Sequence, residues 1–408
     1  MQASKPSFGR NAIVLGLLTA IGPFAIDMYL PSLPSVATSL GTNADGALAS
    51  MTAFFITFAI GQLVYGPSSD LFGRRWPLVI GIALFVIASI GCALATSIEQ
   101  LVAFRLLQGF GGAAGMVVSR AIVHDLHSGV EEARLLSLLM LVFSVSPILA
   151  PAFGNLVVAL TSWRGVFWLV GAIAAAGLVL IALFVPETRP RAARAESKLA
   201  DVLAACRKLL TDRGFIGLTI VSSFAFAGFL VYLSNSPFVL SQQYGLSPIQ
   251  YSIAFSINAI SFFAAMQLNG WLGQRFGLAR LILPAVLGYA AVMALLLGLV
   301  ALGIDGLAVV SPLLFIGYSF LGIILPVSSV LALDKHGAIA GTASSLMSAF
   351  QLATGSVMGA LSGMLGDGSI LRLVAAIAAC AGVAVLAQLT LARSRATMVT
   401  GLPEPSTP

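Results

Sequence analysis

Long apolar stretches separated by short polar segments run along almost the whole chain. Each stretch has about 20 residues or more, which is enough for a helix to cross the hydrocarbon core of a bilayer. The short alternating strands of a membrane barrel are absent from the sequence, and a helix is the other structure that satisfies every backbone group in lipid. The pattern therefore predicts an all-α integral membrane protein with twelve transmembrane helices, at about residues 12–36, 47–67, 76–96, 100–122, 135–160, 165–186, 215–240, 250–272, 279–301, 307–332, 338–365 and 370–392.

Composition and charge agree with this assignment. Charged residues make up 9% of the chain and the mean hydropathy is +1.01, whereas a soluble protein carries about 25% charged residues. If the N-terminus lies in the cytoplasm, every Lys and Arg falls on the cytoplasmic side except Arg105, Arg164 and Arg372. This bias is typical of membrane topology and predicts that both termini are cytoplasmic. It also accounts for the net charge of +6 without a nucleic-acid partner.

A polar segment at residues 187–214 divides the apolar stretches into six and six. Its second part has the pattern of an amphipathic surface helix. The two halves share landmarks, because Tyr29 and Tyr232 are each followed by Leu and then, at one spacing, by Pro. We therefore predict an internal duplication, as in parallel-repeat transporters. The predicted organisation is a cytoplasmic tail at 1–11, a six-helix bundle at 12–186, the linker at 187–214, a second bundle at 215–393 and a disordered cytoplasmic tail at 394–408.

Asp27 is a carboxylate in the first apolar stretch, which contains no other charged side chain. At a rise of about 1.5 Å per residue it lies about 22 Å into a hydrocarbon core about 30 Å thick. A carboxylate is expensive to ionise in that medium. We therefore predict that Asp27 binds and releases a proton.

Arg105 is the predicted partner of Asp27. In the fourth stretch Arg105, Gln108 and Gly109 lie on one helix face, and this combination suits a polar cavity and close helix packing. Burial disfavours an ionised carboxyl group and a neighbouring guanidinium favours it, so such an acid can exchange protons near neutral pH. Two other interpretations remain open: Asp27 and Arg105 form a permanent structural pair, or Arg105 extends to the membrane surface.

Two further motifs suggest moving parts. In Gly-Pro-Ser-Ser-Asp-Leu-Phe-Gly-Arg-Arg, after the second stretch, a tight reversal carries Asp70 and Arg74, which can form ion pairs between helices. Asp125 lies at the same end of the fourth stretch. In the fifth stretch Pro147 and Pro151 interrupt the backbone hydrogen bonds and allow bending.

The Asp70 turn resembles the loop signature of the major facilitator superfamily, and Arg105 and the two prolines resemble features of its proton-coupled exporters. Segments beginning at Asp27, Arg120 and Ser162 narrow the resemblance to the bicyclomycin-resistance (Bcr/CflA) branch of twelve-span drug:proton antiporters.

This resemblance implies two pseudo-symmetric six-helix bundles and a monomer in the inner membrane of a bacterium. It implies export of drugs in exchange for protons by alternating access. It also implies that Asp70, Arg74 and Asp125 form a charge network that latches the outward-open state.

A substrate pocket is predicted from large and amide side chains on the spans expected to face the centre. An apolar, aromatic pocket with a few amides suits a small, lipophilic, mostly neutral solute, while ordinary helix packing stays open as an alternative for each aromatic. The predicted pocket residues are Phe24, Tyr29, Gln108, Phe143, Phe226, Tyr232, Asn235, Phe255, Asn258, Phe262 and Gln351.

Other functions remain open at this stage. A metabolite exporter, for amino acids or sugars, is less favoured because few charges besides Asp27 and Arg105 lie at cavity depth to bind a zwitterion. A membrane enzyme lacks the expected paired carboxylates or Cys–His pair within the spans, and a receptor or channel does not account for the two related halves. The three cysteines have no spacing typical of disulfides or metal sites, so no cofactor or metal is predicted.

Overall fold

The structure, a computed structural model, describes residues 8–190, 194, 199–364 and 368–392, without the side chains of residues 133, 143, 338 and 392. Within these residues the regular secondary structure is helical. The predicted tail at 394–408 and residues 1–7 of the first predicted tail lie outside them.

The first half of the chain folds into helices that match the predicted spans to within a few residues at most ends. The helices of this half are α1 (Phe8–Asp27), α2 (Leu33–Ser39), α3 (Ala44–Phe72), α4 (Arg75–Leu94), α5 (Ile98–Leu126), α6 (Gly129–Leu160) and α7 (Trp163–Phe184). A short turn separates α1 from α2.

The first predicted span is broken in its middle. Helix α1 ends at Asp27, a 3-10 turn covers Leu30–Ser32, and α2 begins at Leu33. Pro31 and Pro34 lack the backbone N–H that would continue the hydrogen bonds of a preceding helix. The break places Asp27 at the end of a helix rather than inside one.

The second half begins with an amphipathic helix, which buries Ala205 and Leu209, and continues with long apolar helices. The last of these ends in a π-helical turn at Gln388–Ala392. The helices are α8 (Leu199–Thr211), α9 (Arg213–Tyr244), α10 (Pro248–Phe276), α11 (Leu278–Ala301), α12 (Leu307–Leu333), α13 (Ala340–Met364) and α14 (Ile370–Ala387).

In the described part of the chain, 11 helical segments are long and apolar enough to cross a membrane, α1 and α2 forming one segment. The predicted span at 338–365 is helix α13, which is rich in Gly, Ser and Thr and is less apolar than the others. Helix α13 packs against α9 and α3. Neighbouring helices therefore cover much of it, and its small residues suit their close approach.

The helices pack as two groups. In the first group α5 contacts α1, α3 and α4, and in the second group α9 contacts α12, α13 and α14. Contacts between the groups run mainly through two pairs, α3 with α13 and α6 with α10. Glycine allows the tight packing of α5, since a Cβ atom at Gly109 would overlap the backbone carbonyl of Phe54.

Successive spans run in opposite directions, so the helix ends form two opposite sides of the molecule. We call one side the basic end: it carries the turn at residues 73–74, the segment after α7 and helix α8. The other side, the far end, carries the start of α3 at Ala44 and the end of α6 at Leu160.

Candidate functional site

Asp27 lies at the break in the first span, beside the contact between the two helix groups. Its side chain is only 4% exposed, and one carboxylate oxygen accepts a hydrogen bond of 2.8 Å from the hydroxyl of Ser146 on α6. The adjoining turn at Leu30–Ser32 contacts α9 and α10, and Tyr251 on α10 lies within electrostatic range of Asp27. The Asp27 carboxyl group therefore lies where the two groups meet.

Arg105 does not pair with Asp27, contrary to the prediction. Its Nη1 donates to the side-chain oxygen of Gln108 (2.7 Å) and to the carbonyl of Ala25 (3.4 Å), and its Nε donates to the carbonyl of Ser50 (3.5 Å). Among the described residues neither Arg105 nor Asp27 takes part in an ion pair. Arg105 reaches acceptors on α1, α3 and its own helix, whereas the Asp27 carboxylate accepts from Ser146 on α6.

Three aromatic rings complete the surroundings of Arg105. Its guanidinium carbon lies 4.3 Å from the ring centre of Phe54, 4.9 Å from that of Tyr29 and 5.7 Å from that of Phe167. Cation–π contacts of this kind stabilise a desolvated cation. Complete burial of Arg105 also excludes the alternative in which it extends to the membrane surface.

Tyr29 and Gln108, two of the predicted pocket residues, belong to the Arg105 network instead. The Tyr29 hydroxyl shares a hydrogen bond of 2.9 Å with Ser50, and the Gln108 amide donates to the Ser89 hydroxyl at 2.8 Å. Both predicted residues are fully buried within the first group. Neither lines a pocket here, because their polar atoms are used to hold the buried guanidinium and its neighbours.

Four predicted pocket residues meet in the second group, in a set of rings from α9, α10 and α12. The ring of Phe229 lies 5.9 Å from that of Phe262 and 5.6 Å from that of Tyr318, and the ring of Tyr232 lies 5.5 Å from that of Tyr318. These contacts bring together side chains that are far apart in sequence. We call this set the aromatic cluster: Phe226, Phe229, Tyr232, Tyr251, Phe255, Phe262 and Tyr318.

The aromatic cluster contains polar atoms as well as rings. The side-chain amide of Asn258 donates to the Tyr232 hydroxyl at 3.0 Å, and the hydroxyls of Tyr251 and Ser236 lie 3.2 Å apart. Within the described structure, Oδ1 of Asn258 and the hydroxyl of Tyr318 have no hydrogen-bond partner. Aromatic rings with a few polar atoms are the groups that a site for a lipophilic solute uses, and most of these rings are buried in this structure.

Sequence reasoning does not identify Phe229, Tyr251 or Tyr318. A signal exists for Phe229, because Phe226, Phe229 and Tyr232 follow one another at i, i+3 spacing on one face of α9. No comparable signal exists for Tyr318, since its contact depends on how α12 packs against α9.

The remaining predicted pocket residues are dispersed. Asn235 donates to the carbonyl of Gly359 at 3.3 Å, which ties α9 to α13, and it lines a cavity of about 230 Å³ at the far end. Phe24 and Gln351 are half-buried. The side chain of Phe143 lies outside the described part of the structure.

Direct hydrogen bonds join α6 to α10 toward the far end. The side-chain amide of Asn155 donates to the carbonyl of Pro248 (2.7 Å) and to the hydroxyl of Ser252 (2.6 Å). Nearer the middle of the molecule, Ser256 donates to the carbonyl of Ile148 at 2.8 Å. The two helix groups are therefore held together on this side.

Pro147 and Pro151 lie within α6, which continues as one helix over Gly129–Leu160. Each proline removes one backbone hydrogen bond from the helix. Both lie between Ser146, the partner of Asp27, and Asn155 at the contact with α10. The predicted bending positions thus separate the Asp27 contact from the far-end contact along one helix.

Asp70, Arg74 and Asp125 lie together at the basic end. Arg74 places Nη1 at 2.8 Å from Asp70 and Nε at 2.8 Å from Asp125, and it also donates to the Ser69 hydroxyl at 2.8 Å. All of these residues belong to the first group. The network is formed while the two groups are in contact at the far end, so its formation does not require that end to be open.

The linker is bound to this network through Glu187, which sequence reasoning does not identify. Its carboxylate accepts hydrogen bonds from the backbone N–H groups of Arg74 (2.8 Å) and Arg189 (3.0 Å). Partial burial acts against the ionised form of Glu187. These two hydrogen bonds, a third from the backbone N–H of Arg75 and the charge of Arg194 outweigh this effect of burial. The pKa of the Glu187 carboxyl therefore lies below its ordinary value. The carboxylate therefore stays ionised at neutral pH and anchors the linker.

Two more contacts fasten the linker to the same charges. Arg189 pairs with Asp70 at 3.1 Å, and the hydroxyl of Thr188 donates to Asp125 at 2.8 Å. Within the residues that the structure describes, no group of three or more His, Cys, Asp or Glu is placed to hold a metal ion.

Comparison with known proteins gives consistent matches. The chain matches the family described as Major Facilitator Superfamily over residues 15–360. It is 38% identical over 355 residues to the uncharacterized MFS-type transporter YdgK of Bacillus subtilis, covering 86% of this chain and 88% of that protein. It is 27% identical over 377 residues to a bicyclomycin resistance protein homolog of Haemophilus influenzae (92% and 94% covered), and 27% identical over 369 residues to multidrug resistance protein D of Escherichia coli (88% and 90% covered).

Solved structures match over nearly the whole chain. A bacterial homologue of the human lysosomal transporter Spinster, inward-facing and occupied, has a TM-score of 0.76 with 14% identity and covers 99% of this chain and 100% of its own. The inward-open xylose transporter XylE of Escherichia coli has a TM-score of 0.73 with 19% identity and covers 94% and 96%. Likeness at this identity shows the fold, and the predicted arrangement of two six-helix bundles is confirmed.

Proposed function

The chain belongs to the major facilitator superfamily, and from this premise we propose that it is a proton-coupled antiporter that exports small lipophilic compounds. The family makes it a transporter rather than an enzyme, as the sequence predicts. The relatives named for bicyclomycin and multidrug resistance support drugs as the substrate class. In this proposal the protein lies in the inner membrane of a bacterium, with the basic end and both termini in the cytoplasm.

The isolation of Asp27 is the observation that carries this proposal. The carboxyl group is buried at the contact between the two groups, with one neutral hydrogen-bond donor, Ser146, and no ion pair among the described residues. A carboxylate in such a place is poorly stabilised when it is ionised. We propose that Asp27 takes up a proton when the far end is open and releases it when the basic end is open.

Arg105 has a positioning role in this mechanism rather than the predicted role of ion-pair partner. It donates to the carbonyl of Ala25, which precedes Asp27 in α1, and its guanidinium lies against the ring of Tyr29, which follows the helix break. Arg105 therefore contacts the residue two positions before Asp27 and the residue two positions after it. Arg105 thereby fixes the break in the first span, and so the place of the carboxyl group.

The aromatic cluster is the proposed substrate surface of the second group. Most of its rings, Oδ1 of Asn258 and the Tyr318 hydroxyl are buried in this structure, and in this proposal they contact a solute when the two groups move apart. Tyr251 belongs to the aromatic cluster and also lies within electrostatic range of Asp27. Substrate and proton would therefore influence each other across the contact between the groups.

The alternative of a metabolite exporter gains no support from these contacts. A zwitterionic solute needs a fixed cation for its carboxylate, and the cation predicted at cavity depth is Arg105. Its guanidinium is fully buried and is already bound to Gln108 and two backbone carbonyls. Its hydrogen-bond donors are therefore already used within the first group.

Replacement of Asp27 tests the proposal. In proteoliposomes, Asp27→Asn is expected to reduce drug-induced proton movement to background while drug binding to the purified protein persists, because the amide keeps the shape of the side chain and cannot carry the proton. Asp45→Asn, at an exposed Asp in the first turn of α3, is the control and is expected to transport normally. Full proton-driven transport by Asp27→Asn would contradict the proposal.

Drug resistance conferred on cells that lack other pumps identifies the substrates. Cells that express the wild-type protein are expected to tolerate several lipophilic compounds better than cells that express Asp27→Asn. Resistance that is equal in the two strains would contradict a transport cycle driven through Asp27.

A further inference from the structure

A groove open to the outside of the bundle lies between α4 and α7 at the basic end. It has a volume of about 830 Å³. From Arg75 to Ala83 helix α4 rises by about 12 Å, so the groove extends from the rim well into the depth of one leaflet. Its walls are apolar and its mouth is charged: the walls include Val79, Ala83, Leu178 and Ala182, and the mouth carries Arg75 and Arg194.

Arg75 brings a positive charge to this mouth that no carboxylate among the described residues neutralises. Its Nη2 donates to the backbone carbonyl of Ala182 at 3.1 Å. Glu187 is the carboxylate at the mouth, but it accepts the backbone N–H groups of Arg74 and Arg75 and pairs with Arg194 at 3.4 Å. The other N–H groups of the Arg75 guanidinium are therefore left to bind an anion.

We propose that this groove binds an acidic phospholipid of the leaflet at the basic end. The lipid phosphate pairs with Arg75, and one acyl chain lies along the apolar walls. Trp76 is 66% exposed at the mouth, at the head-group depth where indole rings are common. A basic mouth above an apolar wall matches an anionic head group joined to a hydrocarbon chain. The inference needs only the membrane-spanning fold and does not depend on drug export.

Native mass spectrometry of the purified full-length protein, titrated with dioleoyl phosphatidylglycerol or dioleoyl phosphatidylcholine, tests the proposal. The wild type is expected to prefer phosphatidylglycerol, and Arg75→Gln to weaken that binding about fivefold, the effect of one cation near a head group. Arg280→Gln, the same change at an exposed position near the start of α11, is expected to bind like the wild type. Equal phosphatidylglycerol affinity in wild type and Arg75→Gln, or no preference between the two lipids, overturns the proposal.

A second variant keeps the test independent of the folding of Arg75→Gln. Ala182→Phe fills the groove from an exposed position of α7 without changing any charge, and it is expected to weaken phosphatidylglycerol binding. Unchanged binding in Ala182→Phe overturns the proposal, whatever the behaviour of Arg75→Gln. Displacement of the bound lipid by millimolar inorganic phosphate also overturns it, because that result shows an anion site that does not use the apolar walls.

Discussion

At the scale of single residues, Arg105 shows how a membrane protein can hold a buried charge without a carboxylate beside it. Two backbone carbonyls, one amide oxygen, the Met51 sulfur and three ring faces surround the guanidinium. The planar fork of Arg can donate in several directions at once, whereas the ammonium of Lys is a compact point charge that needs a tighter shell of acceptors. The site is therefore built for Arg in particular.

Replacement of Arg105 by Lys should be costly although the charge is kept. Lys cannot reach Gln108 and the carbonyls of Ala25 and Ser50 together, and each lost bond to a charged donor in the interior is worth about 2 kcal/mol. We expect a clearly lower midpoint of thermal unfolding for Arg105→Lys in detergent, while the exposed control Arg280→Lys stays within about 0.5 kcal/mol of the wild type. Equal midpoints for Arg105→Lys and wild type would disprove this account of the buried guanidinium.

The contrast between Arg105 and Asp27 shows what spacing along a sequence can predict. The shared face of Arg105, Gln108 and Gly109 follows from helix periodicity, and the structure contains it. The direction in which that face turns depends on how α5 packs against α1 and α3, which no local pattern determines. The structure does not contain the predicted Asp27–Arg105 pair for this reason, whereas the burial of both residues could be predicted from the apolar stretches around them.

At the scale of elements, the turns after α3 and α10 have similar backbone conformations but different neighbouring side chains. Gly73 and Gly277 follow these helices with φ of +90° and +78°. This backbone region is nearly restricted to glycine. A Cβ atom at Gly73 would overlap the Glu187 carboxylate, whereas at Gly277 it would meet open space. The two glycines therefore separate the effect of backbone strain from the effect of the linker contact.

Alanine at both positions tests this distinction. We expect Gly277→Ala to destabilise the protein by about 1–3 kcal/mol through backbone strain alone, and Gly73→Ala to destabilise it more, because Glu187 must also move away from the backbone N–H groups that it binds. Thermal unfolding of the two variants in the same detergent measures the difference. A milder effect for Gly73→Ala than for Gly277→Ala would contradict the role of the linker contact.

The attachment of the linker should depend on pH through Glu187. Because its folded-state pKa is lowered, the group contributes stability that is fully present above the ordinary carboxyl pKa of about 4.3. That contribution is lost as pH falls through the lower folded-state value. We expect protease cleavage after residue 187 to accelerate as the pH is lowered below about 4.3 in the wild type, and to be fast already at pH 7 in Glu187→Gln.

A matched control for this experiment is Asp201→Asn, at a carboxylate in the first turn of α8. It removes a linker charge without touching Glu187 and is expected to keep the wild-type cleavage profile. If the cleavage rate of Glu187→Gln at pH 7 equals that of the wild type, Glu187 does not anchor the linker.

Helix positions were the most predictable elements, and their interruptions and contacts were the least. The apolar stretches correspond to the helices because crossing a bilayer demands length and hydrophobicity at the same place. The break between Asp27 and Leu33 did not follow from the apolar pattern, which continues across it, although Pro31 and Pro34 are its local cause. Helix α13 is only weakly apolar, so hydrophobicity alone is a poor signal for it. Its position between α9 and α3 explains why a less apolar helix is tolerated there.

At the scale of the whole molecule, the contacts between the two groups decide which side is closed. Asn155 supplies two of them, to Pro248 and Ser252. The side chain of Asn155 therefore gives the chain a specific hydrogen-bonded closure at the far end.

Replacement of Asn155 should therefore shift the balance between the two access states that alternating access requires. Asn155→Ala removes two hydrogen bonds, each worth about 0.5–1 kcal/mol net where water can replace them, so the population open at the far end is expected to rise about 5- to 30-fold. Distances between spin labels at Leu160 and Leu302, both exposed, measure this population when the native cysteines are replaced. Thr161→Ala, at the end of the same helix, loses only local bonds to the backbone carbonyls of Val157 and Ser162 and should leave the distances unchanged. If the two variants give the same distance distribution, the Asn155 contact does not hold the far end closed, and the closure rests on the packing of α3 against α13.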